Sequence, residues 1–247
     1  MPTGPKTGEA NEYFMTGRIE LGPTDRTTIV GRTGSGKTTL ALTLVGGYRA
    51  LVIIDPKWRI TLARTITVLG SAAEFAQVYP QRSTRVIYRP DPENKEHGDV
   101  DDVIRRVLAY GRTCLEINEA MGLSTPQSIL PSYMRAMTQG RELYVPVVSE
   151  TQRPTGIHNV ILSEAEHVFI FDLAVGSDRK KLGDIVGDSA QERVGRPFAF
   201  KYAGPGTAGD VIDCEPIRLP GVPSAPQPPR AEAAQAWSDP RSGTSSS

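Results

Sequence analysis

The feature that most constrains what this 247-residue chain can fold into is a glycine-rich segment at residues 31–38. Its sequence, Gly-Arg-Thr-Gly-Ser-Gly-Lys-Thr, matches the pattern G-x-x-x-x-G-K-[ST], in which glycines let the backbone wrap around a phosphate. The lysine of this pattern neutralises the β- and γ-phosphates, and the final hydroxyl binds Mg²⁺. A β-branched run precedes the segment and a helical pattern follows it, so the positive end of the helix dipole points to the same place.

The loop predicts that the chain uses ATP and Mg²⁺ as cofactors. The alternative, a glycine-rich turn that happens to precede a helix, is disfavoured because both flanking segments have the expected character. Lys37 is also predicted to act in catalysis, and Thr38 is predicted to be a metal ligand. The residues predicted to hold the nucleotide are Gly31, Arg32, Thr33, Gly34, Ser35, Gly36, Lys37, Thr38 and Thr39.

The remainder of the chain alternates strand-like and helix-like segments. Residues 50–54 form a continuous apolar run, which is typical of a strand that is covered on both faces. Such alternation predicts a single α/β domain with a mostly parallel sheet and helices on both faces, as in P-loop NTPases. The predicted strands are 27–30, 50–54, 85–88, 113–118, 145–151, 167–172 and 197–202, and the predicted helices are 37–46, 99–110, 127–140 and 178–186.

Composition divides the chain into three parts. Residues 1–12 form a polar leader, residues 13–219 an ATPase domain, and residues 220–247 a tail rich in Pro, Ala and Ser that we expect to be disordered. Within this tail, Trp237 is either a docking residue or a stray aromatic. We find neither a signal peptide nor an apolar run long enough to cross a bilayer, and therefore expect a cytoplasmic protein. The balance of 28 basic against 28 acidic residues neither indicates nor excludes nucleic-acid binding.

Two further motifs follow apolar strands. Residues 114–120 read Cys-Leu-Glu-Ile-Asn-Glu-Ala, where the usual acid pair is replaced by Asn118 and Glu119. We predict that Glu119 polarises the attacking water and that Asn118 binds a magnesium-bound water without adding charge, although Glu119 could also be a helix N-terminal acid. Gln152 follows the next strand and is predicted to contact the γ-phosphate; the alternative is a strand that ends before a proline. Glu116 interrupts its apolar run and is unexplained.

These motifs together resemble the FtsK/HerA superfamily of DNA-pumping ATPases. The resemblance covers roughly residues 25–200 and depends on the phosphate loop, Ile-Asn-Glu-Ala at 117–120 and Thr-Gln-Arg-Pro at 151–154. Gly-Arg-Glu at 140–142, Asp-Pro-Lys at 55–57 and the segment at 177–182 are also similar to that superfamily. The short ends of the chain resemble the small genome-packaging ATPases of bacterial and archaeal viruses, which lack a membrane anchor and an added DNA-reading domain.

The resemblance implies a homo-oligomeric ring, commonly a hexamer, that hydrolyses ATP between subunits and translocates double-stranded DNA without sequence preference. A capsid-vertex or membrane protein is a further implied partner, and the resemblance implies a location in the host cytoplasm or in the virion. An arginine from the neighbouring subunit would complete each site, and Arg179 is preferred over Arg141 and Arg153. Basic residues near loops, any of which could face the pore or only the solvent, are Arg59, Arg64, Arg82, Arg85 and Lys95, and Trp58 could stack on a base or pack.

Three alternatives remain beside a packaging motor. Asn118 keeps open a structural, assembly or secretion component that binds nucleotide and turns over slowly. A DNA-export ATPase would use the same machinery. A nucleotide kinase is disfavoured because Glu119 and Gln152 suit activation of water instead of a phosphate acceptor. The predicted catalytic residues are Lys37, Glu119, Gln152, Arg179 and Arg141, and the predicted metal-site residues are Thr38 and Asn118.

Overall fold

The computed structural model describes residues 19, 21–61, 66–79, 84–91, 93, 98–207 and 209–217. Within them, nine strands form one sheet in the order β3-β4-β2-β5-β6-β1-β7-β8-β9. All neighbours from β3 to β7 in this order pair in parallel, whereas β8 and β9 are antiparallel additions at one edge. The strands are β1 Arg26–Val30, β2 Leu51–Ile54, β3 Thr67–Leu69, β4 Arg85–Tyr88, β5 Cys114–Ile117, β6 Val147–Thr151, β7 His167–Ile170, β8 Phe200–Ala203 and β9 Ile212–Cys214.

Helices cover both faces of this sheet. The helix that follows the phosphate loop packs with alternate strand residues such as Ile29, Ile53 and Val148 on one face. The other helices pack on the opposite face, where Val30 and Val52 belong to a separate hydrophobic cluster. The predicted α/β fold with a mostly parallel sheet is therefore confirmed. The α-helices are α1 Lys37–Val45, α2 Ala72–Val78, α3 Gly98–Tyr110, α4 Pro131–Gln139, α5 Val160–Ser163 and α6 Gly176–Val186.

Two element boundaries differ from the sequence prediction for identifiable reasons. Helix α4 begins at Pro131, four residues later than predicted, because proline is well suited to the first helical position and residues 124 and 129 form an isolated β-bridge. Strand β6 begins at Val147, so Pro146 lies just before it and only its carbonyl joins the ladder, accepting from Leu115 N at 2.9 Å. The proline therefore removes no ladder hydrogen bond.

All described residues belong to one compact unit, Met1–Ile217. None of its described helices is both long enough and apolar enough to span a membrane. The predicted leader at 1–12, the tail at 220–247 with Trp237, and the basic residues Arg64, Arg82 and Lys95 lie outside the described residues.

Candidate nucleotide-binding site

The phosphate loop leaves the carboxyl end of β1 and is fixed between its two neighbouring strands. Gly31 N donates to Thr151 O at 3.2 Å, and Arg32 N donates to Asp172 O at 3.1 Å. A Cβ atom added at Gly31 would lie 2.5 Å from Cβ of Phe171, so only glycine fits at the start of the loop. The loop therefore lies at the crevice beyond the carboxyl ends of the strands, where ligands bind in open α/β sheets.

The backbone of the loop turns through left-handed conformations that glycine adopts without strain. Gly34 has φ 77° and Gly36 has φ 106°. Helix α1 begins at the next residue, Lys37, and no side chain of the described residues caps its first turn. The first amides of a helix lack intrahelical partners, so these N–H groups are available to an anion. The local geometry fits the phosphates of a nucleotide.

The Lys37 side chain is largely buried beneath this loop. Its Nζ donates to Arg32 O at 3.2 Å. Burial lowers the pKa of the Lys37 ammonium, while the nearby carboxylates of Glu150 and Glu119 oppose that shift. A buried ammonium held against a carbonyl has only partial compensation for its lost hydration, so an incoming phosphate would be a favourable partner.

Glu119 lies where the sequence predicts the water-activating base, directly after β5. Its Oε2 accepts from Lys57 Nζ at 2.7 Å and from Gln152 Nε2 at 2.7 Å. Its Oε1 is buried and receives no hydrogen bond within the described part of the chain. The backbone of Glu119 has φ 80°, an unusual value for a residue with a side chain, and such local strain is common at functional sites.

Gln152 connects this carboxylate to the phosphate loop. Its Oε1 accepts from Thr33 Oγ1 at 2.8 Å, while its Nε2 donates to Glu119. The structure thus brings together three residues that the sequence placed in separate motifs. Lys57, at the end of the Asp-Pro-Lys segment, joins the same network and had no role assigned from the sequence.

A second carboxylate, Glu150 on β6, lies directly beside the predicted metal ligand. Its Oε2 accepts from Thr38 Oγ1 at 2.9 Å, and its Oε1 accepts from Asn118 Nδ2 at 3.4 Å. The Glu150 side chain is 2% exposed. Burial raises the pKa of Glu150, and the hydrogen bonds from Thr38 and Glu116 together with the charge of Lys37 oppose this shift. Sequence reasoning did not select Glu150.

The unexplained acid of the second motif, Glu116, lies behind Glu150 and is fully buried. Neither of its oxygens receives a hydrogen bond from a described N–H or O–H donor outside the carboxyl pair. Burial first, and then the adjacent Glu150 carboxylate, raises the pKa of Glu116 well above its ordinary value. Burial and the neighbouring carboxyl group therefore disfavour the ionised form of Glu116.

The three candidate arginines have different surroundings. Arg179, on α6, donates to the carbonyls of Leu173 and Ala174 at 2.7 and 3.1 Å, just beyond β7. Arg153 donates from Nε to the buried Asp178 at 2.7 Å. Arg141 precedes β6, so it lies at the amino edge of the sheet, opposite the phosphate loop, and its positive charge acts on Asp25. Arg141 therefore lies on the far side of the sheet from the phosphate loop of its own chain.

Arginines surround Asp172 beside the phosphate loop, and the sequence did not predict this cluster. Arg193 donates to both Asp172 oxygens at 3.0 and 2.6 Å, and Arg32 lies 3.6 Å away. The hydrogen bond from Arg193 is the main reason that the pKa of Asp172 is lowered, although burial acts against it. Arg179 adds to the same effect. This cluster concentrates positive charge beside the phosphate loop.

The remaining candidates from the sequence are aromatic and basic residues that could contact DNA. Trp58 is 53% exposed and donates from Nε1 to Pro90 O at 3.1 Å, so one ring edge is anchored while the ring remains accessible. Arg59 is exposed nearby. Arg85 instead donates to the carbonyls of Gly46 and Tyr48, which gives it a structural role.

The fold and the loop define the class: the protein has the fold of a P-loop NTPase, with the mostly parallel sheet that the alternation of strands and helices predicted. No family model matches the chain. The sequence is 25% identical over 170 residues to the DNA packaging ATPase P9 of Enterobacteria phage PRD1, covering 66% of this chain and 72% of that protein. This similarity confirms the predicted resemblance to the small viral genome-packaging ATPases.

Solved structures with low sequence identity share the fold. The genome packaging NTPase B204 of Sulfolobus turreted icosahedral virus 2, in complex with ATP-gammaS, superposes with a TM-score of 0.64 at 18% identity over 80% of this chain and 100% of that one. The conjugation coupling protein TcpA of pCW3 has a TM-score of 0.53 at 12% identity, covering 81% of this chain and 62% of that one.

Proposed function

We propose that the protein is an ATP-driven translocase of double-stranded DNA that packages a viral genome. One observation carries this proposal: Thr33 of the phosphate loop, Gln152 and Glu119 form a continuous hydrogen-bonded chain. Such a connection suits an ATPase whose water-activating base responds to the γ-phosphate. The similarity to the packaging ATPase of phage PRD1 supports DNA as the load.

In the proposed reaction, the loop amides and Lys37 hold the β- and γ-phosphates. Magnesium, when bound, neutralises phosphate charge and aligns the triphosphate. The Thr38 hydroxyl is a ligand for the ion, and Asn118 can hydrogen-bond one of its waters. Glu119 accepts from the attacking water through Oε1, because its Oε2 already receives two hydrogen bonds.

Gln152 has two proposed tasks in this arrangement. Its amide N–H fixes the orientation of the Glu119 carboxylate, and its carbonyl contacts the loop residue Thr33. Movement of the loop on binding or loss of the γ-phosphate would therefore alter the position of the base. This is how we propose that Gln152 senses the state of the nucleotide.

The assembly is proposed to be a homo-oligomeric ring, with a hexamer as the expected form. Arg179 is the preferred candidate for completing the site of the neighbouring subunit, since it lies at the carboxyl edge, and Arg141 is the second candidate because it faces away from its own site. A capsid-vertex or membrane protein is the proposed docking partner, in the host cytoplasm or in the virion.

One observation supports a second candidate function. Asn118 supplies no charge at the strand end where an acid is usual, which favours slow turnover in a nucleotide-binding structural or assembly component. Such a protein would bind ATP through the same loop but would show no stimulation by DNA.

The test is phosphate release from Mg-ATP with and without linear double-stranded DNA. Wild type is expected to be stimulated by DNA, and Glu119→Gln is expected to lose about 10²–10⁴-fold in kcat while it still binds ATP. Glu142→Gln is a matched control because that acid is exposed at the amino edge. Stimulation should weaken as salt rises, since phosphate contacts release counterions. A rate of phosphate release that is the same with and without DNA would refute the translocase. ATP binding without phosphate release would favour the structural component.

A further inference from the structure

The position of Glu150 relative to Asn118 follows from the pairing of two strands. Strands β5 and β6 are parallel, and their last paired residues are Ile117 and Ser149. Asn118 and Glu150 are the next residues of these strands. Their side chains point to the same face of the sheet, because register partners of parallel strands share a face and successive residues alternate. The two strands therefore present an amide and a carboxylate side by side, beneath α1.

The acidic side chain that the motif at 114–120 lacks at Asn118 is present one strand away. Asn118 is uncharged, whereas Glu150 carries a carboxylate whose Oε2 lies 2.9 Å from Thr38 Oγ1. The Thr38 hydroxyl is the group of the phosphate loop that binds Mg²⁺. In proteins Mg²⁺ is bound through one or two carboxylates together with waters and substrate phosphates. A hydroxyl and a carboxylate in hydrogen-bond contact provide that donor set.

Other surroundings of Glu150 agree with a role at the metal. Its second oxygen, Oε1, faces Asn118 Nδ2 at 3.4 Å, so the amide orients the carboxylate without competing for charge.

We propose that Glu150 supplies the carboxylate of the magnesium site in place of the acid missing at Asn118. The ion is held near Thr38 of α1 by a carboxylate from β6 instead of one from β5, either directly or through a bound water. This inference depends on the proposed binding of Mg-ATP, but it concerns only which residue provides the negative charge.

The test measures metal-dependent binding, without turnover. Binding of a fluorescent ADP analogue is followed in EDTA and during titration with Mg²⁺, and Mn²⁺ in the nucleotide complex is counted by electron paramagnetic resonance. Wild type is expected to bind the nucleotide more tightly with Mg²⁺. Glu150→Gln should weaken the metal affinity by about 10- to 100-fold, as loss of groups around a metal commonly does, with little change in EDTA.

Two further variants make the result specific. Asn118→Asp combined with Glu150→Gln should restore metal affinity, because the charge returns on the neighbouring strand. Glu142→Gln is the matched control, because that acid is exposed at the amino edge of the sheet and should leave metal affinity unchanged. Thermal unfolding checks that each variant is folded.

The outcomes separate this inference from the proposed function. Unchanged metal affinity in Glu150→Gln would overturn the role of Glu150 while leaving nucleotide binding intact. If Glu150→Gln does not fold, the Asn118→Asp variant tests the role of Glu150 by itself. A gain of tenfold or more in its metal affinity would show that the wild-type site lacked a carboxylate and would overturn the role of Glu150. A smaller change would support that role. Absence of nucleotide binding by wild type in both EDTA and Mg²⁺ would refute the proposed ATPase itself, and with it this inference.

Discussion

Replacing Gln152 with alanine would break the connection between the phosphate loop and the candidate base. The change removes a hydrogen bond of 2.7 Å to the Glu119 carboxylate and one of 2.8 Å from Thr33. It leaves Lys37 and the loop amides in place. We therefore expect the loss to fall on turnover, with nucleotide binding nearly unchanged.

The magnitude follows from the bond to Glu119. A hydrogen bond to a charged group contributes about 1.5–3 kcal/mol. Gln152 is partly exposed, so solvent reduces this to roughly 1–2 kcal/mol. At 1.36 kcal/mol for each factor of ten in rate, kcat should fall by about 5- to 30-fold.

The assay is steady-state phosphate release with DNA present, together with direct measurement of nucleotide affinity. Gln139→Ala is the matched control, because Gln139 is an exposed glutamine with one side-chain hydrogen bond, from Arg135 at 3.0 Å. It ends α4 at the opposite edge of the sheet. A kcat for Gln152→Ala within twofold of wild type, or a loss confined to KM, would refute the connection as a catalytic element.

Two more predictions concern stability. Gly31→Ala forces a Cβ to within 2.5 Å of Phe171, so we expect about 1–3 kcal/mol of destabilisation in thermal unfolding and weaker nucleotide binding in titration. Gly98→Ala is the control and should change neither quantity, because its added Cβ meets no atom of the described residues within 4 Å. The hydrogen bond from His167 lowers the pKa of Asp25 below 3.8, against the effect of burial. Its stabilisation is therefore complete well above pH 3.8 and lost as the pH falls through the folded value. The stability difference between wild type and Asp25→Asn in urea should shrink on acidification; a constant difference would contradict the assignment.

The elements that the sequence predicted correctly are those with a strong local signal. The run at 50–54 and the run at 85–88 became β2 and β4, because strands covered on both faces require continuous apolar residues. Strand β3 was missed because it has three residues, two of them exposed. Helix α2 was also missed, although Ser71 and Glu74 form a capping box three residues apart that could have indicated its start.

The site was predictable where its residues are close in the chain. The phosphate loop is a continuous motif, so its position between β1 and α1 could be predicted from the sequence alone. The Glu119 network was predicted in part. Gln152 was selected, but its hydrogen bonds to Thr33 and Glu119 depend on the pairing of β6 with β1 on one side and with β5 on the other. Lys57 was left without a role because its partner Glu119 is 62 residues away.

The positions of Asn118 and Glu150 show why a motif that is read along one strand can fail to identify the acid of a site. A ligand position in a parallel sheet is defined by the edge where strand ends meet, and two neighbouring strands can each reach it. If the acid of the site lies on β6 instead of β5, the motif at 114–120 looks incomplete although a carboxyl group still lies beside Thr38. The inference that Asn118 slows turnover then applies only if Glu150 is absent from the metal site. The metal affinities of Asn118→Asp and Glu150→Gln therefore decide between a slow nucleotide binder and a motor whose acid lies on the next strand.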